Sequence, residues 1–311
     1  MESHKASAEV IYIMGSGHSG STVLDIVLGN HPDIVSVGEL SNFITKRKTD
    51  SEYCACGEPA NRCQFWSNIY WEWTDRVKRG EVEEYLSLQN TFEHFKHWFH
   101  LQRTKRDDFQ SPRFQAYAEG ARALFEAISV VSGKNIIVDS SKNPVRALAL
   151  SMVPGIDLRL VHLVRDGRGI VWSFRKKRGK EKNIRAKLVY SSPWLASFEW
   201  VLNNAASGFL LTEAYSQGIR IRYEDLVEQP GKVLTDMGRA LEIGLEPVID
   251  ALLSGKEMRI GHNIAGNRVR MTGSIRLKPD CEWKERLPRY DQRVFWLLAG
   301  SLAKKYGYRW H

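Results

Sequence analysis

Cysteine is scarce, with four in 311 residues, too few for the disulfide framework of a small secreted domain. A reducing, cytoplasmic setting is therefore expected. Long apolar runs are missing too. The cleanest, Val10–Met14, falls far short of the roughly 20 residues that cross a bilayer, so no membrane span is expected. Met1-Glu2-Ser3-His4 does not lead a basic stretch into an apolar one, so no signal peptide is expected, and residues 1–8 read as a loose tail. Internal repeats and a Pro/Gly/Ser-rich linker are absent, which favours a single domain over 9–311. A hydrophobic share of 43% with 26% charged residues excludes a disordered or collagenous chain.

What is present in excess is positive charge. Forty-five Lys and Arg against 36 Asp and Glu leave a net +9, which points to an anionic partner: nucleic acid, an acidic surface or a phosphorylated small molecule. Much of the excess lies in Arg175–Lys187, with eight basic residues and one acidic. Blocks of like charge repel and stay solvated, so a loose loop is expected there. Its place just after Ser173 puts it near the mouth of any site on that helix.

Hydrophobic patterning alternates between strand and helix. Apolar runs at Val10–Met14, Asp33–Val37, Ile136–Val138, Leu158–Val164 and Ile219–Tyr223 predict buried strands, separated by helical stretches at Thr22–Gly29, Val145–Met152 and Trp194–Ser216. This rhythm predicts an α/β fold with a mostly parallel sheet flanked by helices. It breaks between residues 41 and about 130, a stretch rich in Trp, Phe, His and charge. That stretch reads as a helical insertion after the second strand, its aromatics forming mostly local core and the remainder an acceptor-binding region.

The first strand runs into Gly15-Ser16-Gly17-His18-Ser19-Gly20-Ser21-Thr22, and a helix follows. Loop N–H groups and a helix N-terminus together favour an anion. The text nearly matches the nucleoside-triphosphate loop G-x-x-x-x-G-K-[ST], but Ser21 stands where the lysine reaches the β- and γ-phosphates. Such a loop suits a phosphate and suits ATP chemistry poorly. Strand ends in a parallel sheet share one edge, where ligands bind. Arg165, Lys142 and Tyr223 all follow strands and are expected near the loop, as a phosphate fork, a point charge and an aromatic platform.

Together these segments resemble the sulfotransferases that use 3′-phosphoadenosine 5′-phosphosulfate (PAPS), in particular the bacterial and tyrosylprotein-like branch of the P-loop sulfotransferases. The likeness spans about Val10–Leu40 and Asn135–Leu226, and weakens towards Leu287. Gly17-His18-Ser19-Gly20-Ser21-Thr22 resembles the 5′-phosphosulfate loop. Arg165-Asp166-Gly167-Arg168, with Ser173 eight residues after Arg165, resembles the 3′-phosphate motif. Val37-Gly38-Glu39-Leu40 resembles the segment that carries a base carboxylate. The resemblance implies a P-loop NTPase-like sheet and PAPS as sulfuryl donor, with no metal required. It implies that Gly17 to Thr22 hold the 5′-phosphosulfate, Arg165 and Ser173 the 3′-phosphate, and Tyr223 the adenine. Lys142 would approach the transferring group. Gly266-Asn267-Arg268-Val269-Arg270 resembles a late loop over the nucleotide, with Arg270 as its contact. Position 18 often carries arginine in this branch; here it is histidine.

The expected reaction is in-line transfer to a hydroxyl or amine of a small-molecule or carbohydrate acceptor, with Glu39 as base, Lys142 stabilising charge and His18 in the loop. Histidine remains an alternative base, at His18 or His262; His162 lies mid-strand and reads as structural. A small-molecule kinase is disfavoured by Ser21. A nucleic-acid-binding protein is supported by charge alone and lacks a groove-reading motif. Cys54, Cys56 and Cys63 cluster in sequence, but Cys281 is distant and a zinc site takes four ligands. A thiol-bearing loop, not a metal site, is expected.

Overall fold

The structure, a computed structural model, describes residues 8–48, 52–77, 82–99, 101–102, 111–177, 184–212 and 217–310. Five strands form its main sheet: β1 (Ala8–Met14), β2 (Ile34–Gly38), β3 (Ile136–Lys142), β4 (Ile156–Val164) and β5 (Gly218–Arg222). Their order is β2-β3-β1-β4-β5, and every neighbouring pair is parallel. The α/β expectation with helices on both faces holds.

β1 is central because it is apolar on both faces. Val10, Tyr12 and Met14 enter one core cluster, while Ile11 and Ile13 enter the cluster on the opposite face, as the two-residue strand period requires. Leu24, Ile26 and Val27 of helix α1 (Ser21–Leu28) cover the second face. The first face is covered by helices from the long connection between β2 and β3, notably Gln64–Val77, Val82–Phe92 and Pro112–Ser132. Trp66, Trp73 and Phe92 are core there, whereas Trp71 and Phe99 are exposed. Local chemistry sets the helix ends. Ser111 accepts from the Phe114 N–H ahead of Pro112, and Gly133 closes that helix in the left-handed region at φ 66°. His94 caps a short turn by accepting from the Lys96 N–H.

The charged run differs in part from the expected loose loop. Arg175–Lys177 complete the helix Gly167–Lys177, and Ile184–Ser191 is helical. Arg175 pairs with Asp291 at 3.0 Å and Lys176 with Glu282 at 2.6 Å. Residues 178–183 of the run lie outside the described residues. No helix among the described residues is long and apolar enough to cross a membrane.

β3 runs four residues beyond the expected Ile136–Val138, into polar Asp139-Ser140-Ser141-Lys142. Burial is possible there because Asp139 is fully partnered. It accepts from Arg146 Nε at 3.2 Å, from the Ser141 N–H at 2.9 Å and from the Leu40 N–H at 3.4 Å. Arg146, wholly buried, also pairs with Glu93 of the insertion. Glu93 also accepts from Tyr117 Oη at 2.9 Å and from Gln89 Nε2 at 3.2 Å. Burial pushes the Glu93 carboxyl up while Arg146 opposes the shift. Removing one partner of such a set strands the others without solvent. Arg146→Met is therefore expected to cost about 3–5 kcal/mol in urea unfolding; a loss near zero would show that the two carboxylates do not depend on it.

His162 of β4 is fully buried, as its mid-strand position implies. Its Nδ1 accepts from Arg220 Nε at 3.1 Å, so Nε2 carries the proton and donates to Asn204 at 2.9 Å. Burial lowers its pKa from 6.5 to about 3, with the Arg220 charge adding to the shift and Asn204 opposing it. Between those two values the unfolded chain binds a proton that the native chain refuses, so stability falls as pH drops through that window. His162→Gln, which keeps a donor and an acceptor, should flatten the slope between pH 6.5 and about 3. An unchanged slope in denaturation midpoints measured across that range would count against this source.

Candidate active site

The sharp turn after β1 forms because its glycines adopt backbone that other residues avoid. Gly20 precedes helix α1 at φ 97°, and a Cβ there would lie 2.3 Å from the Tyr223 ring. Aromatic ring and loop thus touch only because position 20 has no side chain. The first N–H groups of α1, from Ser21 and Thr22, have no carbonyl of their own helix to meet. Ser16 and Ser19 are buried, and their hydroxyls have no hydrogen-bond partner among the described residues. Unpaired N–H groups, orphaned hydroxyls and a helix N-terminus on one turn make an anion site.

The other strand ends converge on this turn. From β4, Arg165 donates to the His18 carbonyl at 3.0 Å and to Asp280 at 2.8 Å, and its guanidinium stacks 4.8 Å over the Tyr223 ring. Tyr223 opens the short helix Tyr223–Glu228 after β5. Ser173, on the helix after Arg165, hydrogen-bonds His18 Nδ1 at 2.8 Å. From β3, the Lys142 carbonyl accepts from the Gly15 N–H at 3.2 Å, and Lys142 Nζ pairs with Glu39 at the end of β2. Lys142 sits at φ 69°, left-handed backbone that a lysine rarely adopts, so its direction is fixed by structure around it. A buried Asp139 on the same strand and its bond to the Leu40 N–H supply that constraint.

A segment late in the chain lies across the same edge. Gly38, at φ 77°, bridges to Ile264; the Glu39 N–H donates to the Ile264 carbonyl at 2.9 Å, and the Ile264 N–H to Val37 at 3.1 Å. Thr22 Oγ1 accepts from the Asn267 N–H at 3.2 Å, and a Cβ on Gly266 would stand 3.1 Å from Thr22 Oγ1 and 3.4 Å from Glu39.

Gly17, His18, Ser19, Gly20, Ser21, Thr22, Glu39, Lys142, Arg165, Ser173 and Tyr223 are thus brought to one edge. Arg270 lies on the same late segment with its guanidinium buried against Glu52 at 2.7 Å and the Tyr53 carbonyl at 2.9 Å, contacts that fasten this segment to the insertion. His18 also differs from the arginine it replaces. Burial lowers its pKa from 6.5 to about 3, and Lys177, Lys142, Arg165 and Lys176 push the same way. It is neutral in this structure and carries no positive charge into the loop; a bound dianion would draw the value back up.

Asp280 had no signal in the sequence, being 115 positions from Arg165; Asn267 was marked only as part of the late loop, and its contact with Thr22, 245 positions away, was not. His262 comes beside Cys54, Cys56 and Cys63, and one donor atom from each of the four lies within 4.8 Å of the others; the cysteine spacing alone gave no sign of this fourth residue.

A family model described as the sulfotransferase family matches residues 10–247. A search of curated protein sequences finds no match. Among solved structures, the sulfotransferase domain from the Synechococcus PCC 7002 olefin synthase is similar at a TM-score of 0.52 and 20% identity, over 99% of this chain and 98% of that one. The sulfotransferase domain from the curacin biosynthetic pathway gives 0.50 at 17% identity, over 98% and 99%. Sulfotransferase STF9 from Mycobacterium avium gives 0.50 at 10% identity, over 96% of this chain and 77% of that one. At these identities the solved structures speak to the fold, which they share. The family match covers most of the chain and takes in the loop, Glu39, Lys142, Arg165, Ser173 and Tyr223: the chain belongs to the sulfotransferase family.

Proposed function

We propose that the chain moves a sulfuryl group from PAPS to a hydroxyl or amine of a small-molecule or carbohydrate acceptor. The observation that carries this reading is the turn after β1, whose buried Ser16 and Ser19 hydroxyls lack partners among the described residues while Arg165 and Tyr223 close against it. That arrangement accepts an anionic nucleotide without the lysine that triphosphate chemistry uses.

In this reading the N–H groups and hydroxyls of Gly17 to Thr22 hold the 5′-phosphosulfate. Arg165 and Ser173 take the 3′-phosphate, and Tyr223 lies against the adenine. Binding is an exchange of partners, since Arg165 must leave Asp280 and Ser173 must leave His18. Lys142 faces a similar choice between Glu39 and the sulfuryl oxygens. Once it turns to the donor, Glu39 is free to take a proton. The acceptor oxygen or nitrogen attacks sulfur, the bond from sulfur to the phosphate oxygen breaks, and adenosine 3′,5′-bisphosphate departs. The acceptor's proton passes to Glu39. Catalysis is positioning plus charge stabilisation. The helices between β2 and β3 supply the acceptor side.

Titration calorimetry tests the nucleotide assignment. Adenosine 3′,5′-bisphosphate should bind tighter than ATP, and Arg165→Ala should lose about 1.5–3 kcal/mol, roughly tenfold to a hundredfold in affinity. Ser173→Ala should lose less, having given up one neutral donor. Asp280→Asn should bind tighter, because it frees Arg165. Equal affinity of Arg165→Ala and the parent, or a preference for ATP, would overturn the reading.

Glu39→Gln should keep bisphosphate affinity while kcat falls about a hundredfold or more, the usual worth of one acid–base group. Lys142→Met should lower kcat as well. A fully active Glu39→Gln beside a dead His18→Ala would move the base to histidine.

A further inference from the structure

Cys54, Cys56, Cys63 and His262 meet far from one another in sequence. Cys63 Sγ lies 3.3 Å from His262 Nδ1, Cys54 Sγ lies 3.6 Å from the same nitrogen, and Cys56 Sγ lies 3.6 Å from Cys63 Sγ. All four ligand atoms fall within 4.8 Å. With zinc–sulfur bonds of about 2.3 Å and zinc–nitrogen of about 2.05 Å, tetrahedral edges are about 3.8 Å between sulfurs and about 3.6 Å between sulfur and nitrogen. Three of the separations come within about 0.3 Å of those edges, and the remaining ones stay within 4.8 Å, close enough for a small inward shift to complete a tetrahedron around one ion.

The surroundings hold these ligands in place. Gly57 at φ 95° turns the chain between Cys54 and Glu58, with Gly57 N–H on the Cys54 carbonyl at 3.0 Å and Cys54 N–H on the Glu58 carbonyl at 2.9 Å. Both Cys54 and Cys63 are buried. The His262 carbonyl accepts from Trp66 Nε1 at 2.7 Å, and the Phe65 ring stacks on the imidazole at 4.8 Å between centroids and 14° between planes. The next residue, Asn263, is wholly buried, donates to Ser36 Oγ and Asp25, and accepts the Ala55 N–H at 3.0 Å. The imidazole thus presents Nδ1 to the sulfurs from a backbone fixed on both sides.

We propose that Cys54, Cys56, Cys63 and His262 bind one zinc ion as a closed structural site that clips the Tyr53–Phe65 loop of the insertion to the late segment carrying Ile264 and Asn267. Three thiols give up protons and neutral imidazole adds a nitrogen, leaving no open position for chemistry. Three thiolates with one imidazole favour zinc among divalent ions. The ion would act on the active-site edge through the backbone: Ile264 pairs with Val37 and Glu39, and Asn267 with Thr22. The site stands whatever the sulfuryl donor is.

The test is metal content by plasma mass spectrometry on full-length protein purified under reducing conditions. One zinc per chain is expected, and Cys281→Ser should keep it. Cys63→Ser and His262→Ala should lose it, and His262→Cys should retain it. Apoprotein titrated with cobalt should develop thiolate-to-metal charge transfer and intense tetrahedral visible bands at one equivalent. This spectrum needs no variant to fold. Stripping zinc with a chelator should lower the melting temperature, and added zinc should restore it. No zinc together with no cobalt spectrum would overturn the proposal, as would full zinc in His262→Ala or a Cys56–Cys63 disulfide in place of the metal.

Discussion

The pairing of buried Arg146 with Glu93 and Asp139 is the constraint on which the rest hangs. One guanidinium ties together three parts of the chain that neighbouring hydrogen bonds from Gln89, Ser41 and Asn143 also link: the helical insertion at Glu93, β3 at Asp139 and, through Asp139, the turn at Leu40. Glu39 precedes that turn and Lys142 ends that strand. Their pairing therefore follows from a charge network that never touches the site. Buried charge of this kind adds little net stability against an apolar substitute, but it is intolerant of partial removal. Direction, more than energy, is what it supplies here.

From that anchor the site is assembled by the sheet. Parallel strands deliver the turn after β1, Glu39, Lys142, Arg165 and Tyr223 to one edge, where the charged side chains already have protein partners. Arg165 holds Asp280, Ser173 holds His18, and Lys142 holds Glu39. In the proposed function an arriving nucleotide would replace protein anions and acceptors with its own; affinity would then be a difference between two partnered states, and the charge left behind on Glu39 would be the one that takes the acceptor's proton. The neutral His18 fits the same logic: amid Lys142, Arg165, Lys176 and Lys177, a further cation would be repelled until a dianion is present.

Local pattern made most of the fold legible. Five apolar runs became the five strands, within a few residues at each end, because burial on both faces leaves a continuous signal. β3 outran its apolar run because Asp139 is buried with Arg146 and with the Leu40 N–H, 99 positions away, and apolar patterning carries no sign of such polar burial. The residues of the glycine loop, Glu39, Lys142, Arg165, Ser173 and Tyr223 were legible because each follows a strand or lies one helical step beyond. The ion pair of Arg270 was not legible for the converse reason: its partner Glu52 lies 218 positions away, and nothing near Arg270 marks an ion pair. Distance also hid the approach of His262 to Cys54 and Cys63, 208 and 199 positions earlier. Residues close in sequence and carried by regular elements could be read; pairings made by the late segment crossing the sheet edge could not.

A crystal structure with adenosine 3′,5′-bisphosphate tests the central claim most directly, because the account assigns each phosphate to its own residues. The 5′-phosphate should sit on the N–H groups of Ser19 to Thr22. The 3′-phosphate should lie within hydrogen-bond reach of Arg165 and Ser173, with the Arg165–Asp280 pair broken. A nucleotide bound away from the turn, or Arg165 still on Asp280 beside an occupied site, would contradict it.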